Sequence, residues 1–483
     1  MHFSIKNIRE ATCVCDALIL PFVQGKSNLY DSLGPATSQL IKRIFRKEFN
    51  GKHKEVLCIP APEDLKAERL VLVGLGKKNE ISAEDMRQAG GKTAHAVRNS
   101  GMKSVALSTT VVSSLNISPA EFVEGFLLGL YTFDRYRGRK DKKKIDMFTI
   151  LSSGSQRLKD ELLLTKTISS SVWFVRDLIN TPANDMTPTH LAKIALSLRK
   201  PPLSVKVLEK SDVKKLGMGA YLSVAKGSKE PPKFIVLDYK GAKGAPLVII
   251  GKSVTFDSGG LSLKPSDGME RMKDDMAGGA TVLGVVKTIA ELRLPVRLIG
   301  ILPATENLVG GSATRPGDVV RSVNGKTIEI INTDAEGRLL LADALGYAQR
   351  YKPRAIIDIA TLTGACSVAL GSEAIAMMGN NTQLMDKLRK AGDKVYERVW
   401  EMPLYKEYRE YIKSDIADIK NCGSRNGSLI ASAYFLYEFA GKAPWVHLDI
   451  AGTAWLEKEK PYMPKGASGI GVRLLVDYIK ESL

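Results

Sequence analysis

Cysteine and histidine are scarce, at five of each in 483 residues. The cysteines (Cys13, Cys15, Cys58, Cys366 and Cys422) are odd in number, scattered and without a pairing pattern. That argues against a disulfide framework and for a reducing compartment. Cys13 and Cys15 alternate in a strand-like segment with no further Cys or His nearby, so they do not build a zinc site. Long apolar runs are also missing. The run Ala17-Leu18-Ile19-Leu20 is short and stopped by Pro21, so neither a signal peptide nor a membrane span is expected, and the cytoplasm is the expected compartment. There is no internal repeat and no low-complexity segment. Acidic charge is in deficit, 52 Asp and Glu against 70 Lys and Arg, for a net charge of +18. Such an excess speaks to association with nucleic acid or anionic surfaces, or to a basic proteome, and not to fold.

What is present is an ordinary globular composition, 44% hydrophobic and 25% charged, on a chain long enough for two domains. Strand-like segments at 17–23, 56–60, 70–75, 105–109 and 148–151 alternate with helical ones at 38–49, 83–99 and 119–131. This predicts a small N-terminal α/β domain over 1–150. The densest charge run, at 134–144, reads either as a solvated loop or as a phosphate-contacting patch with Tyr136 available to stack. A helical stretch at 163–178 leads to Asn180-Thr181-Pro182-Ala183-Asn184-Asp185, which breaks any helix. Residues 151–185 are therefore expected to be a linker helix and domain entrance. From 186 to 483 the alternation resumes, with strands at 234–237, 247–250, 296–302 and 355–359. The expected fold there is a larger α/β domain with a mostly parallel, doubly wound sheet.

Two clusters carry chemistry. Asn332-Thr333-Asp334-Ala335-Glu336-Gly337-Arg338-Leu339 stands between a strand-like run at 327–331 and a helix-like one at 340–345. Open α/β sheets place ligands where strands run into helices, although Asp and Gly are also ordinary turn residues. Upstream, a buried strand ends in Lys252, Asp257 sits in a glycine-rich turn, and Lys264 follows. Met272-Lys273-Asp274-Asp275-Met276 then opens an apolar helix. Asp274 reads as a helix cap. No histidine lies in either cluster, which excludes a histidine-rich zinc site here; His447 reads as satisfied core. Asp257, Asp275, Asp334 and Glu336 carry four negative charges, matching two divalent cations that can share an acidified water. Lys252 can join as a neutral amine, because burial beside cations depresses a lysine pKa. Lys264 and Arg338 remain as positive groups for a negative oxygen. That equipment suits hydrolysis.

The stretch 332–339 resembles the signature of the cytosolic leucyl aminopeptidase family. Segments 251–260, 262–265 and 272–276 are similar to it too, as are Asn-Thr-Pro at 180–182 and His-Leu-Asp-Ile-Ala-Gly-Thr at 447–453. The resemblance implies a catalytic domain over 186–483 and a macro-like fold for the N-terminal domain. It implies that Asp257 and Glu336 bridge two metals, that Lys252 and Asp275 complete the tighter site, and that Asp334 completes the more exchangeable one. Lys264 would polarise the scissile carbonyl and stabilise the gem-diolate. Arg338 would hold a bicarbonate acting as general base. Met272, Thr361, Leu362, Gly364 and Ala451 match positions lining the side-chain pocket. Zinc, manganese, magnesium and cobalt all suit oxygen ligands with one amine. The implied substrate is a peptide with a free N-terminus, preferably beginning with leucine or another apolar residue, and the implied assembly is a homo-hexamer. DNA binding through the basic surface stays open as a further role. Three departures stand out: Ser253 where the family has Gly, Gly279 where it has Ala, and Ser428-Leu429 where it has Gly-Ala.

Overall fold

Apolar runs of four to six residues separated by helical periods fold into two main sheets, each within its own unit. The computed structural model describes residues 1–45, 47–98, 100–138 and 144–483. Residues 139–143 of the basic run at 134–144 and the expected helix end at 99 lie outside those residues. The first unit comprises Met1–Ser170 with Lys458–Lys465, and the second Ser171–Glu457 with Gly466–Leu483. Among the described residues no helix is long and apolar enough to cross a membrane.

The first unit is built on β1 (His2–Lys6), β2 (Cys15–Val23), β3 (Val56–Pro60), β4 (Ala67–Gly76), β5 (Ser104–Ser108) and β6 (Met147–Leu151), in the order β1-β6-β5-β2-β4-β3. All neighbours are parallel except the edge pair β3–β4. Leu18, Ile19, Leu20 and Leu70 to Val73 are fully buried, as expected of strands covered on both faces. The run at 2–6 was not expected as a strand; it is short, and pairing with β6 at the sheet edge makes it one. The helix expected at 38–49 spans Pro35–Phe45. Phe49 lies beyond its end and is buried edge-on against Phe22 and Phe45.

The second unit contains β7 (Leu203–Leu208), β8 (Lys233–Lys240), β9 (Leu247–Gly251), β10 (Ser253–Asp257), β11 (Arg297–Asn307), β12 (Val319–Arg321), β13 (Thr327–Glu329), β14 (Ala355–Ala360), β15 (Ile375–Gly379), β16 (Val399–Glu401), β17 (Ile419–Lys420) and β18 (Trp445–Asp449). The main sheet runs β16-β15-β18-β14-β9-β11-β8-β7, with β10 pairing β11. Its centre, β18-β14-β9-β11, is parallel, and antiparallel strands lie towards both edges. Leu247 to Ile250 and Ile356 to Ile359 have no exposed surface. The helix expected at 163–178 runs Gln156–Asn180. Its polar first turns hide the period, and Ser155 accepts from Leu158 N at 3.1 Å to start it.

One expectation needs correcting in kind. The run at 327–331 is not a strand of the main sheet. Only Thr327–Glu329 is extended, and it pairs with β12 and β17 in a separate three-stranded sheet. Ile331 N instead donates to a side chain, Asn421 Oδ1, at 2.8 Å. The strands that deliver the site are β9, β10, β14 and β18, whose C-terminal ends lead into Lys252, Asp257, Thr361 and Asp449. This is where a parallel sheet opens a crevice.

Candidate metal centre

Lys252 follows β9 directly and is pinned at both backbone atoms. Its N donates to Ile359 O at 3.1 Å, and its O accepts from Gly279 N at 2.7 Å. The ammonium donates to Thr361 O at 2.9 Å and lies 2.7 Å from Asp275 Oδ1 and 2.8 Å from Glu336 Oε1. Glycines make this channel possible. A Cβ on Gly337 would stand 2.6 Å from Lys252 Cε, and one on Gly278 would stand 2.9 Å from Lys252 N.

Asp257 closes β10 rather than sitting in the turn; the glycines come after it. Its Oδ1 accepts from Gly259 N at 2.9 Å and from Asn307 Nδ2 at 2.7 Å, and its Oδ2 is 2.9 Å from Lys264 Nζ. Asp275 is the next-to-last residue of a 3-10 segment, Met269–Met276, that precedes the helix Ala277–Glu291. The apolar helix therefore begins later than expected. Asp334 and Glu336 come from the loop before the helix Gly337–Ala348. One ligand oxygen from each of Asp257, Asp334 and Glu336 lies within 4.8 Å of the others. Asp275 joins them through Lys252.

The electrostatics of the cluster follow from this packing. Burial alone would lower the Lys252 pKa, but Asp275, Glu336 and Asp257 outweigh it and raise the ammonium above its usual range. Cations at the same carboxylates would reverse that balance by repulsion. Burial pushes Asp275 well up, and burial together with Asp257 pushes Asp334 up to about 6. These carboxyls therefore lack enough positive charge among their described neighbours. Among the described residues Asp275 Oδ2 is buried without any hydrogen-bond partner, a costly arrangement unless a cation meets it. Hard oxygen donors with one amine fit divalent zinc, manganese, magnesium or cobalt.

Lys264, read from the sequence as a positive group for a negative oxygen, pairs here with both Asp257 and Asp334. Arg338 is buried, donates from Nη1 to Asn421 O at 2.8 Å, and leaves Nε without a hydrogen-bond partner among the described residues. The expected pocket residues are less uniform. Thr361 Oγ1 donates to Asp275 Oδ1 at 2.8 Å. Leu362 and Ala451 pack against apolar clusters, Met272 is half-buried, and Gly364 is exposed. Leu429 is buried in the same small cluster that Ala451 packs against. Asp274 is buried but outside the carboxylate trio.

Sequence reasoning missed the residues that hold the ligands. Asn307 donates from Nδ2 to Thr333 O at 3.0 Å as well as to Asp257. Asp449 accepts from Leu362 N and Ala451 N at 3.1 Å and from Thr363 Oγ1 at 2.7 Å. His447 is buried as expected but is not fully satisfied. Its Nδ1 lies 2.5 Å from Asp358 Oδ1, while Nε2 has no partner among the described residues. Asp358 also accepts from Trp445 Nε1 at 2.7 Å. The strand period in β18, which puts 445, 447 and 449 on one face, was the available signal.

Two of the sequence departures explain each other. Ser253 is fully buried and donates to Gly251 O at 2.9 Å. A methyl added at Gly279 would overlap that hydroxyl. Serine at 253 thus occupies the space that alanine would fill at 279. Gly279→Ala alone should destabilise the protein by about 1–3 kcal/mol through overpacking, despite the better helix propensity of alanine. Adding Ser253→Gly should recover most of that loss. Denaturant melts of the four proteins in the cycle give the coupling, and additive effects would refute the exchange.

The model for the cytosol aminopeptidase family catalytic domain matches residues 173–476, and that for the family's N-terminal domain matches residues 24–140. The chain is 50% identical to a probable cytosol aminopeptidase of Geobacter sp. (strain M21), over 95% of each chain. It is 41% identical to the cytosol aminopeptidase of Pseudomonas aeruginosa, over 100% of this chain and 99% of the relative. Among solved structures it is similar to the bottromycin maturation enzyme BotP in complex with Mn, with a TM-score of 0.87 and 32% identity over 97% of this chain and 100% of that one. Paired carboxylates built around a buried lysine, on a chain similar throughout to these enzymes, lead to one conclusion: it belongs to the cytosol aminopeptidase family and is a peptidase.

Proposed function

We propose that the protein removes the N-terminal residue, preferably leucine or another apolar one, from peptides by two-metal hydrolysis in the cytoplasm. The observation that carries this is the convergence of Asp257, Asp334 and Glu336 on one small volume, flanked by Lys252, Asp275 and Lys264. Asp257 and Glu336 would touch both ions, Lys252 and Asp275 would hold one, and Asp334 the other. Bound there, the ions supply Lewis acidity and a water acidified towards neutrality. Lys264 then stands as the donor for an oxygen that gains negative charge. Arg338, with Nε free of hydrogen bonds, would hold a bicarbonate at the proton-accepting position. A substrate's free α-amine facing the carboxylate-held charge would restrict cleavage to the first peptide bond. Leu362 and Ala451, with apolar packing behind them, support an apolar first residue, and Met272, Thr361 and Gly364 would join them. A homo-hexamer belongs to this reading, and the exposed Trp400, Tyr405 and Ile416 offer apolar surface for assembly.

The test is a rate profile over aminoacyl-amides on chelated protein, with zinc, manganese, magnesium or cobalt added back singly. Chelation should abolish turnover and at least one ion should restore it, with leucyl among the fastest substrates. Full activity in the metal-free protein, or equal cleavage of N-acetylated peptides, would refute the reading.

A further inference from the structure

We infer that Asn421 is a positioning residue, whose one buried side chain sets the carboxylate loop and whose carbonyl sets the Arg338 guanidinium. It rests on the reading of the site given above. β17 is only two residues long, and its pairing with β13 ends at Glu329↔Lys420. Asn421 N extends the ladder by one bond, to Glu329 O at 2.9 Å. Past that point the side-chain amide takes the place of a strand. Its Oδ1 accepts from Ile331 N at 2.8 Å and Asn332 N at 3.4 Å, and its Nδ2 donates to Asn332 O at 2.7 Å and Ala335 O at 3.3 Å.

Two N–H groups on one side and two carbonyls on the other define which way the amide points. They also use its full capacity of two donors and two accepting lone pairs. The clamped segment, 331–335, carries Asp334 and delivers Glu336. In the same residue the backbone carbonyl accepts from Arg338 Nη1 at 2.8 Å. Two carboxylates and the guanidinium therefore share one anchor, which has no exposed surface. No other side chain reproduces this. Aspartate would turn both donors into acceptors facing the carbonyls of Asn332 and Ala335. Glutamine would add a methylene in a place with no exposed room.

The experiment compares the full-length parent with Asn421→Ala. Mn2+ is titrated calorimetrically into each chelated protein, and kcat, KM and the response to bicarbonate are then measured per folded molecule. Partners that orient ligands typically alter metal affinity or activity by roughly 10–100-fold when removed. The expected result is a loss of that size in Mn2+ affinity and kcat, with KM little changed and a weaker bicarbonate response. A purely structural residue would lower the folded fraction and leave kcat per folded molecule unchanged, which overturns the inference. Should Asn421→Ala not fold, Asn421→Ser carries the same comparison; failure of both makes Asn421 a folding residue and overturns it too. A parent that binds no Mn2+ sinks the reading of the site together with this inference. A parent that binds it, beside a variant that matches it, sinks only the inference.

Discussion

Asp257→Ala and Glu336→Ala should each leave the purified protein nearly free of metal at both positions, where the parent should carry two equivalents. The reason is their central place in the cluster. Asp257 faces Lys264 through one oxygen and receives Gly259 N and Asn307 Nδ2 on the other. Glu336 faces Lys252, which ties it to Asp275. Removing either carboxylate takes away an oxygen from the shared volume while leaving both lysine charges in place. The remaining ligands then sit beside cations that repel an incoming ion. Loss of the ions removes several kcal/mol of transition-state stabilisation, roughly a thousandfold in rate. Asp274→Asn is the matched control: Asp274 is buried next in sequence to Asp275, but lies outside the carboxylate trio, and its variant should keep both ions. Metal content is read by elemental analysis of the purified proteins. Two equivalents retained in either alanine variant would remove the shared-ligand assignment.

Lys264→Ala and Arg338→Ala should separate cleanly. Lys264 is the better placed to meet a developing oxyanion. It stands at the mouth of the carboxylate cluster, about one-fifth exposed, whereas Arg338 is buried and tethered to Asn421 O. Burial would lower the Lys264 pKa, but Asp257, Glu336 and Asp334 outweigh it and keep the ammonium charged. Its removal should lower kcat by about 10²–10³-fold, the usual cost of losing a preorganised donor. Metal should be retained or bound more tightly, because a positive charge has left the carboxylates. Arg338→Ala should cost less in kcat and should abolish acceleration by added bicarbonate. A bicarbonate response that persists in Arg338→Ala would contradict its role, and a Lys264→Ala enzyme near parental kcat would do the same for Lys264.

By itself the amino-acid sequence determined the alternation that makes two α/β units and the three ordered segments that bring the candidate ligands. Those features are local: an apolar run, a glycine turn or a carboxylate beside an arginine imposes its own backbone and chemistry. Only the tertiary structure decided what meets what. Asn307 reaches Asp257 across 50 positions of chain, and Asn421 reaches Arg338 across 83. No periodicity records such a bond, because an asparagine at a strand end looks the same whether its amide meets water or a carboxylate. The run at 327–331 has the composition of a central strand, but strand pairing is a contest between segments. Here β9, with β14 and β11 on either side, took the sheet centre. Lys264 could be read as spare until Asp257 and Asp334 were found on either side of it. Ser253 and Gly279 were separate oddities until the Ser253 hydroxyl proved to fill the space that a methyl at 279 would need. Volume and hydrogen-bond capacity are properties of neighbours in space, and close packing makes them felt at the scale of a single methyl group.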